Sequence, residues 1–264
     1  MITLLGTEWE RLWAKRWTWL LILVVPGLAY LSADYFESFQ SSTELLSDTF
    51  VLAGLRNNLY FPVNIILAAL VATVFTEEYR GGQLRYVFLR HYTRRQIFIS
   101  KMLLIYILIF LMLVWFSVSL YILGYIMFSH SESLRIPSIE IVAYTIKYYA
   151  WAFLSLVGIT SLFSFFAMYS KNVTYAMGIG MLYILTSLLI DGLFVRIAAS
   201  FDSVPILQLS ITYMMIPFLQ HTGLDEIITD RSNAAIAVVI VITIHFVVFT
   251  WSAYRRFVKT DYLY

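Results

Sequence analysis

Two ionisable side chains, Asp191 and His245, stand inside long apolar stretches of this 264-residue chain. A group of that kind at membrane depth is either part of a proton path or one partner of a neutral hydrogen bond between helices. Asp191 lies close enough to the end of its stretch to reach interfacial water. Other chemistry is hard to assemble. His91, His130, His221 and His245 are scattered along the chain, which is poor spacing for a metal, and there is no cysteine. No Gly-Lys dipeptide occurs, so a phosphate-cradling P-loop is excluded, and neither H-E-x-x-H nor G-x-S-x-G is present. The chain is therefore expected to be no enzyme and to carry no cofactor or metal of its own.

The elements that hold these residues follow from composition. With 61% hydrophobic and 13% charged residues and a mean hydropathy of +0.79, the chain is expected to be an integral membrane protein. A net charge of +2 gives no reason to expect nucleic acid. Lipid offers no partner to an unpaired backbone amide, so apolar windows near residues 17–33, 59–76, 102–128, 143–169, 174–194 and 234–254 are read as six spanning helices. The fold class is all-α and polytopic, one transmembrane domain over residues 1–264. Of eighteen basic residues, Arg56, Arg135, Lys147, Arg196 and Arg231 fall on one side and the other thirteen on the opposite side with both termini, which makes that side cytoplasmic.

Two further segments are expected to lie at the membrane. Leu5, Trp9, Leu12 and Trp13 recur at the spacing of an amphipathic interfacial helix whose charged face carries Glu8, Arg11 and Lys15. Residues 204–220, short and punctuated by Pro205 and Pro217, are read as re-entrant between the fifth and sixth spans, because a full crossing would move the basic tail to the wrong side. Gly178 and Gly180, with Ala176 and Gly158, are read as sites of close helix packing.

The longest polar interruption in the first half, residues 77–101, reads EEYRGGQLRYVFLRHYTRRQIFISK. Gly81 and Gly82 let the backbone reverse after the second span. Leu84, Val87 and Phe88 then form an apolar stripe beside Arg85, and Thr93 is placed to cap a helix that runs through Arg94, Arg95 and Lys101 into the third span. Charge alone makes this a loop whose arginines bind lipid head groups. The residue order adds more: Glu78, Gly82 and Leu84, then Val87 and Phe88, then Thr93, Arg94, Arg95 and Lys101 resemble the signature of ABC type-2 permeases, the membrane subunits of ABCG-like exporters. Gln83 and His91 depart from that pattern, where threonine and proline are usual.

The resemblance implies a bacterial plasma-membrane permease whose coupling helix, about residues 82–92, docks on a separate ABC ATPase. Glu78, Gly82, Leu84, Arg85, Val87, Phe88, Arg94, Arg95 and Lys101 would form the ATPase-coupling joint. ATP and Mg would sit on two copies of that ATPase, and a second permease chain, identical or related, would complete the path. The implied activity is efflux of an amphipathic or hydrophobic cargo such as a peptide, an antibiotic or a lipid-linked compound, of the kind used in antimicrobial peptide resistance. A proton-coupled secondary transporter using Asp191 and His245, or a non-transporting membrane anchor or assembly factor, are the alternatives.

Overall fold

The computed structural model describes residues 2–39, 47–80, 92–128, 139–170, 172–201 and 232–259, together with Pro217, Gln220 and Leu224. Its helices are α1 (Ile2–Trp13), α2 (Arg16–Phe39), α3 (Ser47–Leu59), α4 (Pro62–Arg80), α5 (Arg94–Met127), α6 (Ile139–Tyr169), α7 (Val173–Ala199) and α8 (Ser232–Lys259). Among the described residues five helices are long and apolar enough to cross a membrane, and six crossings are reached if α3 and α4 count as one. Among the described residues the architecture is all-helical, as expected.

The pair α3 and α4 departs from the expected second span. Residues 47–58, expected in an outer loop, form a helix, and α4 begins only after a 57° bend at Tyr60 and Phe61. The bend follows from Pro62, which has no amide to donate and takes the first position of α4. The carbonyls freed there are collected by one side chain: Asn64 Nδ2 donates to Leu59 O at 3.1 Å and to Tyr60 O at 2.9 Å. Asn58 ties the end of α3 to α2 by donating to Ser32 Oγ, and also reaches Gly54 O at 2.8 Å. Gly54 lets α3 lie directly on α5, since a Cβ there meets Leu120.

A second proline is handled in the same way. Pro26 inside α2 leaves the carbonyl of Ile22 without its helical donor. Trp115 of α5 supplies one, its indole N–H donating to Ile22 O at 3.1 Å. Trp115→Phe keeps the ring and removes the donor. We expect it to lower stability by about 1–3 kcal/mol, read as a lower thermal midpoint of the detergent-purified chain. An unchanged midpoint excludes the bond as a contributor.

Helix α6 is the hub. It packs most extensively on α8 and also meets α3, α4, α5 and α7. Its buried face is rich in small residues, Ser155, Gly158, Thr160, Ser161 and Ser164, which allow close approach where lipid supplies no hydrophobic drive between helices. Gly180 of α7 serves the same end, a Cβ there meeting Ala68 of α4 at 3.0 Å. Gly178, expected to do likewise, is exposed with nothing within 4 Å, because it lies two residues away and so on another face of the helix. Asn172 caps α7, its side chain accepting from Tyr175 N at 2.8 Å.

Candidate functional site: the joint at the start of α5

Helix α5 starts sharply. Thr93 is extended at φ −74°, ψ 150°, and its hydroxyl accepts from Gln96 N at 3.3 Å while Gln96 Oε1 accepts from Thr93 N at 2.9 Å. This reciprocal box satisfies amides that a helix start leaves open. The expected cap is therefore present. One residue earlier, the Tyr92 hydroxyl lies 3.3 Å from Thr3 Oγ1 of α1. One residue later, Arg94 Nη1 donates to the carbonyl of Val258 in the last turn of α8, where helix carbonyls lack internal donors.

About two turns further along, the joint closes on a buried charge pair. Lys101 Nζ lies 3.3 Å from Glu8 Oε2 of α1 and donates to Val74 O of α4 at 3.3 Å; the two side chains are 1% and 9% exposed. Between Arg94 and Lys101 the ring of Phe98, also buried, touches Phe75 of α4 at 5.7 Å and Tyr254 and Phe257 of α8 at 5.6 Å each. Ten residues of chain thus hold α1, α4, α5 and α8 together.

Glu8 corrects an expectation. It was assigned to a solvated face of α1, yet Leu4, Glu8 and Leu12, at i, i+4 and i+8, form the most buried line of that helix, while Leu5, Trp9 and Trp13 are only half-buried. The carboxylate is tolerated inside because Lys101 meets it there. The signal available in sequence was this spacing, which puts Glu8 between two leucines.

The remaining residues of the expected joint separate. Gly82, Leu84, Arg85, Val87 and Phe88 lie outside the described residues; Glu78 falls in α4, with its side chain outside the described ones. Arg95 is exposed and lines a cleft between α5 and α8 rather than the ion pair. Asp191 falls in α7 and its side chain is likewise outside the described ones. His245 is half-buried, but the expected bond between helices is not the one its ring makes: Nδ1 lies 2.9 Å from Val241 O of its own helix, four residues back. The link between helices runs instead through the backbone, Ser161 Oγ of α6 donating to His245 O at 3.1 Å.

A polar seam unforeseen in sequence runs from the start of α4 to Gln220 and, through the bend before α4, to α7. Asn64 Nδ2 donates to Gln220 Oε1, and the Tyr60 hydroxyl lies 3.4 Å from Ser187 Oγ. Asn64, Gln220 and Ser187 are fully buried, and Asn64 Oδ1 and Gln220 Nε2 have no hydrogen-bond partner among the described residues. Apart from Pro217 and Gln220, both buried, the expected re-entrant segment lies outside the described residues. An asparagine inside an apolar span is costly unless paired, which was the cue for this seam.

Comparison with known proteins finds one family, described as ABC-2 family transporter protein, over residues 4–188. That stretch covers α1 to α6 and the first half of α7. No curated protein and no solved structure matches the chain.

Proposed function

Because the chain belongs to the ABC-2 family of transporter proteins, we propose that it is the membrane permease of an exporter driven by a separate ABC ATPase, and that the joint at the start of α5 transmits the ATPase's motion. ATP and Mg bind on the partner, in two copies, and a second permease chain completes the path. Residues 82–92 are the docking segment. The basic-rich side and both termini face the cytoplasm of a bacterial cell, and the cargo is an amphipathic or hydrophobic molecule.

The observation that carries this reading is the clamp over residues 92–101. A docked motor shifts a permease only by the free energy difference that it feels between two permease states, so its handle must be fixed to the helices that move. Tyr92 is tied to α1, Arg94 to α8, Phe98 to α4 and α8, and Lys101 to α1 and α4. A push on the preceding segment therefore reaches three neighbouring helices at once. The buried Asn64, Ser187 and Gln220 beside α4 support a path there, since buried polar atoms without partners among the described residues are places for cargo or water to bind.

The test asks whether an ABC ATPase is encoded next to this chain and expresses the two together. We expect the two to co-purify and cargo to stimulate ATP hydrolysis. Arg94→Glu should abolish the stimulation while leaving the amount of membrane-inserted chain unchanged. Transport that persists with no ATPase present overturns the reading in favour of a proton-coupled carrier, and normal stimulation in the variant removes Arg94 from the joint.

A further inference from the structure

Beside the joint, α5 and α8 part to leave a cleft of about 580 Å³ lined by Arg95, Phe246, Val247, Thr250, Trp251 and Tyr254. Its mouth opens on the lipid-facing side of α8: Ile244, Val247, Val248 and Trp251, at i, i+3, i+4 and i+7, are all more than half exposed. One end is cationic. Arg95 lines the cleft itself, and the Arg255 guanidinium stacks on the Trp251 ring 5.2 Å from its centre. The walls below are apolar, except that the Thr250 hydroxyl is buried and has no hydrogen-bond partner among the described residues. From Phe246 to Arg255 the helix rises about 14 Å, roughly half of a hydrocarbon core of about 30 Å.

We propose that this cleft holds one anionic phospholipid, its phosphate between Arg95 and Arg255, an ester oxygen on Thr250 and an acyl chain along Val247 and Phe246. The charge of the mouth selects an anionic head group, and the depth selects a chain from a single leaflet. The hydroxyl without a partner gains one when the lipid is seated. Neither the cleft nor its chemistry depends on whether the chain transports anything. Arg95, placed by sequence in the coupling joint, is a lipid ligand on this account, while Arg94 on the neighbouring face stays in the joint.

The full chain is taken from vesicles of equal dioleoyl phosphatidylglycerol and dioleoyl phosphatidylcholine, and its retained lipid is counted by native mass spectrometry. Wild type should keep one phosphatidylglycerol more than phosphatidylcholine per chain. Arg95→Gln should weaken that retention about fivefold, and Val247→Trp, which fills the cleft from an exposed position, should remove it. Arg196→Gln, an exposed arginine of α7, should change nothing. As an independent readout, bromine-labelled phosphatidylglycerol should quench a fluorescence component that Trp251→Phe eliminates. Equal retention of both lipids, or an unaltered preference in both cleft variants, identifies ordinary surrounding lipid and overturns the proposal. So does crosslinking of Trp251→Cys chains into dimers regardless of lipid, which makes a second copy the occupant.

Discussion

Lys101→Met should abolish cargo-stimulated ATP hydrolysis by the partner and cost roughly 3–5 kcal/mol of stability. Lys101 and Glu8 are almost wholly buried at 3.3 Å, so removing the ammonium leaves a carboxylate inside the bundle without its partner. The methionine keeps most of the side-chain volume, so the loss reports charge rather than packing. Combining it with Glu8→Gln should recover much of the stability, because replacing both members of a buried pair is far cheaper than orphaning one. The double variant should still fail to couple if the ion pair is what binds α1 to α5 during the cycle. Thermal unfolding of the four chains gives the interaction energy as a double-mutant cycle. A single variant as stable as wild type contradicts the buried pair; a single variant with normal stimulation contradicts its place in the joint.

Asn64→Leu is expected to have the second largest effect, a loss of roughly 2–6 kcal/mol, from removing the amide that donates to the carbonyls of Leu59 and Tyr60 at a depth where water is scarce. Leucine is close in size, so no cavity accounts for the change. The neighbouring Asn57, exposed on α3, provides the comparison: Asn57→Leu should be within experimental error of wild type. Thermal midpoints of both variants in detergent decide the matter, and equal midpoints remove Asn64 as the support of the bend. Because Asn64 also holds Gln220, the variant should lose transport even where it remains folded.

How far the fold could be read in advance depends on the scale of each feature. Spanning helices were legible because hydropathy averages over about twenty residues, the thickness of the barrier. That same averaging hid α3: Asp48, Arg56, Asn57 and Asn58 lower the mean of Ser47–Leu59, and Pro62 falls inside the window that follows. The cap at Thr93 was legible because it is local, a hydroxyl three residues before Gln96. The pairing of Glu8 with Lys101 spans 93 residues of sequence and depends on how two helices rotate against each other, which no single-chain periodicity specifies. His245 lies inside the last helix as expected, but its ring bonds a carbonyl four residues back on that same helix, which a hydropathy reading does not distinguish from a bond between helices.

Helix α5 has 34 residues, hence a length of about 51 Å. A bilayer is only about 40–45 Å thick with its polar layers included. An upright rod of that size overshoots, and even a strongly inclined one brings an end out to the aqueous boundary. A water-soluble machine could then grasp it without wading among phosphates, and a few degrees of rocking would be magnified at the far tip, as with an oar turning in its rowlock.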